Sequence, residues 1–260
     1  MSSAKSIQSV EELNAKREWF MDPSRSLRDN RGPFLIVRDN FYPNPLAIRE
    51  IGLRQRFFQY SPPSEDIVSS EVFAPYRGQN PAWFSSAVLV FKGRPVDNPK
   101  VGYRHDPDSL RRVLSQLTQE EIPDELWSNS GDGWNGAFHY MNVNWRSEDA
   151  AVHHHYKCGD VFPHGWSGVV YLSPDAPKEA GTSIWIDEST GRCVAEYGKF
   201  FDYPSRNENL KIAYNVENVF NRIVLFRNNV LHRTENGFGL GKDDSRFTQT
   251  LFFVSEMNKM

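Results

Sequence analysis

Seven histidines occur in the 260 residues, and three of them are consecutive: His153, His154 and His155. Side chains alternate faces along an extended strand, so His153 and His155 project together and His154 projects oppositely. Two imidazoles on one strand face make half of a metal site. A third ligand must come from another strand, and His232 is the candidate. It follows the buried run Ile223-Val224-Leu225-Phe226 and the turn Arg227-Asn228-Asn229. Fourteen residues beyond it, Arg246-Phe247-Thr248 puts a guanidinium and a hydroxyl on one strand face. That pair can grip a single carboxylate, because an arginine fork bonds a carboxylate bidentately and with defined direction. Taken singly, a histidine triplet fits a polar surface cluster, and a histidine after a strand fits an ordinary hydrogen bond. The clamp beyond them tips the reading toward a metal centre beside a bound organic acid.

With those residues in hand, the C-terminal half resembles the 2-oxoglutarate and Fe(II)-dependent oxygenases, whose motif is H-x-D/E, a distal His, then R-x-S/T. The runs Trp166-Ser167-Gly168-Val169-Val170-Tyr171-Leu172-Ser173-Pro174-Asp175-Ala176-Pro177, Ala180-Gly181-Thr182 and Asn221-Arg222-Ile223-Val224-Leu225-Phe226 are similar to one small branch of that superfamily. Asp39-Asn40-Phe41-Tyr42-Pro43-Asn44-Pro45 and Ile48-Arg49-Glu50 resemble the N-terminal region of the same branch. The likeness runs from about Phe34 onward and is weak between Gly93 and Gly133.

The resemblance implies Fe(II) and 2-oxoglutarate as cofactor and co-substrate. His153 falls on the first metal ligand, His232 on the distal ligand, and Arg246 with Thr248 on the 2-oxoglutarate clamp. The chain departs from the family at the carboxylate position, which falls on His155. Three neutral imidazoles leave one more positive charge on a metal than two histidines and a carboxylate do. An alternative keeps the carboxylate: Asp160, in the extra residues between the triplet and Trp166, could fold back as the third ligand. Gly159-Asp160 equally fits a plain turn. His154 is expected off the metal. His139, Tyr140 and Asn142, on the strand before the triplet, are expected to contact the co-substrate or to bond across strands. Trp185 is expected to wall the pocket or to belong to the core.

These side chains need a scaffold of strands. From Gly136 onward, short strand-like runs at residues 137–145, 150–156, 168–173, 182–186, 221–226 and 246–254 are separated by turn clusters, without intervening helices. That texture predicts a double-sheet antiparallel fold. Earlier, the pattern predicts short helices at 10–20, 45–58 and 108–117, the last capped by Asp108 or Ser109, and strands at 34–37 and 86–91. The expected fold is mainly β with flanking helices, a double-stranded β-helix of the jelly-roll or cupin-like kind. Residues 1–32 form a polar N-terminal segment, and residues 33–260 one jelly-roll domain. Its helical bracing falls mostly in 33–135, and its core motifs in 136–255.

Composition narrows the function classes. Hydrophobic residues make up 39% and charged residues 24%, enough for a packed core. Thirty Lys and Arg against 33 Asp and Glu give a net charge of -3, which is no footprint for nucleic acid. Cys158 and Cys193 are too few for a disulfide framework. The N-terminus carries no signal-peptide core, and the chain has no run of membrane-spanning length, so a cytoplasmic protein is expected. The partner is expected to be a small-molecule substrate, with the oligomeric state open and a dimer among the options. Three rivals stay open. One is a three-histidine dioxygenase that does not use 2-oxoglutarate, the second a non-catalytic metal or small-acid binding jelly-roll protein, and the third a plain structural jelly roll that binds no metal stoichiometrically.

Overall fold

The computed structural model describes residues 7–21, 32–59, 82–86, 107–124, 127, 135–155, 165–195 and 208–256. Its strands are β1 (Leu35–Arg38), β2 (Phe58–Gln59), β3 (Trp83–Ser85), β4 (Phe138–Met141), β5 (Gly165–Tyr171), β6 (Thr182–Asp187), β7 (Leu210–Val216), β8 (Ile223–Arg227), β9 (His232–Thr234) and β10 (Arg246–Val254). Its helices are α1 (Val10–Ala15), α2 (Pro45–Leu53) and α3 (Pro107–Thr118), with a 3-10 turn at Arg17–Phe20.

The strands form two antiparallel sheets, as the spacing of the runs implies. One has seven strands in the order β1-β8-β5-β10-β4-β3-β2, and the other three in the order β7-β6-β9. Period-two alternation along β10 divides the core between them. Phe247, Leu251 and Phe253 join a cluster with Trp166, Val170, Leu172, Ile223 and Leu225. This outer face of the large sheet is covered by Leu110 and Leu114 of α3 and by Ile48 and Leu53 of α2. Gly52 lets α2 approach closely, since a Cβ there would fall 2.6 Å from the Phe138 ring. The opposite face of the sheet looks toward the three-stranded sheet. There Tyr171, Val224 and Phe226 meet Ile184 and Val216.

Several expected boundaries move. The helix expected at 10–20 breaks at Lys16, whose N–H tightens back onto the Leu13 carbonyl. The polar N-terminal segment nonetheless buries Leu13 and Phe20 completely. Asn14 ties α1 to β1, donating to the Leu35 carbonyl at 2.7 Å and accepting from the Phe34 and Leu35 N–H groups. α2 starts at Pro45 under an Asn44 cap but ends at Leu53, before the expected limit of 58, and Phe58 enters β2 instead. α3 begins at Pro107, so Asp108 and Ser109 lie within its first turn and do not cap it. Val113 on its expected apolar face is 39% exposed, and Leu110 and Leu114 carry the contact. The strand expected at 86–91 lies, apart from Ser86, outside the described residues. Within the run at 150–156, Val152 and His153 are bridge residues, His153 pairing with His232. β2, β3, β7 and β9 were not expected as strands. β7 carries exposed Lys211, Ile212 and Asn215, and β9 has only three residues.

One buried ion pair pins α3 to the large sheet. Glu120, 5% exposed, accepts from Arg227, from Ser255 and from the Trp166 indole N–H, while the Arg227 guanidinium lies 4.0 Å from the Trp166 ring centroid. Burial pushes the Glu120 carboxyl up, but Arg227, Ser255 and Trp166 together outweigh it and hold the carboxyl below its ordinary range. Glu120→Ala is expected to cost about 3–5 kcal/mol, because it leaves the Arg227 charge half-buried and unpaired. The sign of the pH effect follows from the depressed folded value. Stability is present above the unfolded carboxyl range and is lost as pH falls through the folded value. Urea denaturation of wild type and variant at pH 7 and pH 3 checks both; a cost below about 1 kcal/mol at pH 7 contradicts the assignment.

Candidate metal centre and acid site

Two segments of chain deliver the three imidazoles. His232 opens β9, and His153 sits opposite it in a two-way backbone bridge with both N···O distances 3.0 Å. His155 follows two residues later, its N–H donating to the Asn228 carbonyl at 2.7 Å. The ligand nitrogens of His153, His155 and His232 all lie within 4.8 Å of one another. Imidazole nitrogens bound to one first-row metal at about 2.1 Å sit roughly 3 Å apart, so small side-chain rotations complete the site. His155 Nε2 and His232 Nε2 are already 3.0 Å apart.

The backbone presets two of the tautomers. The Nδ1–H of His232 donates to the Val230 carbonyl at 2.8 Å, and that of His153 to the Ala151 carbonyl at 3.2 Å. Both rings therefore turn an Nε2 lone pair into the cluster, the arrangement that outer-shell carbonyls enforce in metal sites. In the metal-free protein His155 Nε2–H then donates to His232 Nε2. Burial pushes both His155 and His232 well below the ordinary histidine range, and the neighbouring histidines add to it. Phe226 packs on His232 at 4.2 Å and Phe252 edge-on to His155 at 5.0 Å between ring centroids, giving the cluster apolar walls. Three neutral imidazoles suit a divalent first-row metal such as iron, zinc, copper or nickel. Among the described residues no carboxylate joins them. Asp160 lies outside the described residues. His154 is 5% exposed and does not join the cluster, as alternation requires; burial, and then the neighbouring His153, lowers it to about 4.

Arg246 and Thr248 open the inner face of β10, followed in the same alternation by Thr250 and by Phe252, which touches His155. Arg246 is 2% exposed. Its Nε–H donates to the Ala180 carbonyl at 2.8 Å and Nη2 to the Gly181 carbonyl at 3.1 Å. These two bonds use one edge of the guanidinium. Nη1 donates to the Met141 sulfur at 3.5 Å, a weak acceptor, and Tyr171 lies against the guanidinium, its ring centroid 5.6 Å from the guanidinium carbon and its hydroxyl a further hydrogen-bond partner. Among the described residues no carboxylate forms an ion pair with Arg246. Burial lowers its pKa, against smaller favourable contributions from Tyr171 and Glu235. A buried guanidinium without a counter-ion is costly, and an incoming anion relieves that cost. Gly181 immediately precedes Thr182, and Ile184 pairs with His232. Three residues of β6 thus separate the guanidinium from the imidazoles, about 10 Å of strand.

The remaining candidates divide by face. His139 lies on the inner face of β4, in register with Thr248. The Trp83 indole donates to its Nδ1 at 3.1 Å, so its Nε2–H points at Thr250 Oγ1, 3.0 Å away. Tyr140 is turned to the outer face, stacked on Phe84 at 4.4 Å and edge-on to Phe57 at 5.1 Å. Asn142 lies past the end of β4, where its side chain accepts from the Asn144 N–H at 3.0 Å. Trp185 joins Val152, Ala195, Leu210 and Leu231 on the outer face of the small sheet, under Arg233, while its neighbours Ile184 and Ile186 face inward. Alternation thus turns Tyr140 and Trp185 away from the space between the sheets. Reading residues by type missed Phe252, Tyr171 and Thr182. Extending the Arg246–Thr248 alternation by four residues reaches Phe252.

Burial sets an acid limit. His139 is lowered to about 3, by burial and then by Arg246, and stays neutral near pH 7. Between its folded value and the ordinary histidine range the unfolded chain binds the extra proton, so stability rises with pH there. His154, His155 and His232 act in the same direction. The metal-free protein is expected to lose stability steadily from pH 6.5 to 5, with His139→Gln showing a shallower slope. Equal slopes in urea titrations contradict this account.

No protein-family model matches the chain, and no curated protein matches its sequence. Solved structures overlap it at low similarity. A prolyl hydroxylase in complex with a hypoxia inducible factor oxygen degradation domain peptide, from Trichoplax adhaerens, has 10% identity and a TM-score of 0.43, covering 94% of this chain and 91% of that one. AviO1 from Streptomyces viridochromogenes Tue57 has 12% identity and a TM-score of 0.45, covering 92% and 93%. HygX from Streptomyces hygroscopicus with nickel, 2-oxoglutarate and hygromycin B bound has 10% identity and a TM-score of 0.42, covering 85% and 82%. Among the described residues no helix is long and apolar enough to cross a membrane.

Proposed function

We propose that this protein is a non-haem Fe(II) oxygenase of jelly-roll fold that uses 2-oxoglutarate as co-substrate and hydroxylates a small or amino-acid-like molecule. The observation that carries the reading is Arg246. It is a fully buried cation without a paired carboxylate among the described residues, its end-on nitrogen Nη1 meeting only the weak acceptor sulfur of Met141, and it bonds the backbone three residues, about 10 Å of strand, from the pairing position of His232. Metal plus guanidinium make an interior that calls for an acid with a carboxylate at each end.

His153, His155 and His232 would hold the iron, which when bound supplies the dioxygen chemistry that couples 2-oxoglutarate decarboxylation to substrate hydroxylation. The chain contributes placement. Arg246 takes the distal carboxylate end-on, with the Thr248 hydroxyl on the same face as a second donor. The Val230 and Ala151 carbonyls keep His232 and His153 in the metal-binding tautomer. Phe226 and Phe252 keep water from the imidazoles. His139, neutral and held by Trp83 and Thr250, lines the acid's path without cancelling the Arg246 charge.

A second reading is favoured by the ligand set itself. Three histidines without a carboxylate suit a dioxygenase that does not use 2-oxoglutarate, with Arg246 binding the substrate's own carboxylate. Incubation with Fe(II), 2-oxoglutarate and oxygen separates the two. Succinate formed in proportion to enzyme-bound iron supports the first reading. Oxygen consumption without succinate supports the second, and binding of metal without oxygen consumption leaves a non-catalytic metal and acid binder.

A further inference from the structure

We infer that Asn228 is a positioning residue that sets the third imidazole, His155, through the turn at residues 227–230; the inference rests on the three-histidine reading of the metal centre. Asn228 is 5% exposed and tied on three sides. Its N–H donates to the Gly165 carbonyl at 3.1 Å, its side-chain Oδ1 accepts from the Ser167 hydroxyl at 2.6 Å, and its carbonyl accepts the His155 N–H at 2.7 Å. The approach to β5 depends on a glycine, because a Cβ at Gly165 would lie 2.2 Å from Asn228 Nδ2.

The same turn serves a second ligand. It closes with the Val230 N–H on the Arg227 carbonyl at 2.9 Å, and the Val230 carbonyl receives the His232 Nδ1–H at 2.8 Å. Arg227, in turn, is held by Glu120. Two of three imidazoles therefore take their position from four residues, but by different means. His232 lies on β9, where β6 and the His153 bridge also hold it. Among the described residues, His155 follows the bridged positions Val152 and His153 without being bridged itself, and its own N–H goes to the Asn228 carbonyl. That carbonyl is aimed by the side-chain bond to Ser167. Removing the amide frees the turn to tilt and moves His155 more than His153 or His232.

The test titrates Co(II) into full-length wild type, Asn228→Ala and Ser167→Ala, following the visible spectrum. Long-range proton–nitrogen spectra of the histidines are recorded on the Zn(II)-loaded proteins. Expected are a Co(II) affinity about 10–100-fold weaker in Asn228→Ala, the range for outer-shell changes, and a smaller loss in Ser167→Ala. The His155 ring should lose its metal-bound shift while His153 and His232 keep theirs. The inference is overturned if folded variants bind Co(II) with wild-type affinity and spectrum, or if all three rings lose their shifts together. Should Asn228→Ala fail to fold, Ser167→Ala, which removes one hydroxyl, decides the matter by the same readouts. Wild type that takes up no Co(II) overturns the three-histidine reading and this inference with it. Wild-type binding with unaltered variants overturns the inference alone.

Discussion

Alanine at His153, His155 or His232 is expected to abolish stoichiometric metal binding, weakening it at least ~100-fold, beyond the range for outer-shell changes. Alanine at His154 should leave the metal in place, since that ring does not join the cluster and its loss is felt through packing. Calorimetry with a redox-inert divalent metal reads both results. Metal binding requires neutral imidazoles, so protons compete as pH falls. Because burial lowers His155 and His232 well below 6.5, affinity should hold through that value and fall at lower pH. Substituting a carboxylate at 155 is the sharper experiment. His155→Asp restores the residue expected from the motif, and His155→Glu better matches the reach of the imidazole Nε2. Either should tighten Fe(II) by adding a negative charge to a neutral ligand set. If Asp160→Ala loses the metal and His155→Ala keeps it, the carboxylate has moved along the chain and the three-histidine assignment is wrong.

Arg246→Lys is expected to weaken 2-oxoglutarate binding by about 100-fold, roughly 3 kcal/mol, while metal affinity persists. Lysine keeps a charge but cannot hold the Ala180 and Gly181 carbonyls with one edge and a carboxylate with the other. The persisting metal affinity shows that the variant is folded around its centre. Equal 2-oxoglutarate affinity in wild type and Arg246→Lys, measured with the redox-inert metal in place, removes Arg246 from the acid site. The second reading of function makes a different forecast: 2-oxoglutarate binds neither protein, and the lysine variant instead loses affinity for a monocarboxylate substrate.

The features legible from residue order are local ones. Alternation pairs His153 with His155 and Arg246 with Thr248, and the structure keeps both pairs on the inner side because a strand's period of two does not depend on its neighbours. The hydrophobic runs around Val170, Leu225 and Phe253 mark strands for the same reason, and the turn clusters between them set two antiparallel sheets. Spacing could not decide which face is inner. Alternation along β6 sends Ile184 and Ile186 to the inner cluster and Trp185 outward with Ser183, and register with β10 sends Tyr140 to Phe84 while His139 faces Thr250. Short elements were invisible because β9 has three residues and gains its place only from pairing with β6 and bridging to His153. Tertiary structure alone brought His232 to the triplet across 77 residues of chain. It also decided that Arg246 is buried with one edge spent on the Ala180 and Gly181 carbonyls. Both depend on backbone groups distant in sequence, whose donors and acceptors carry no residue-type signal, and those groups aim the imidazoles and fix the guanidinium.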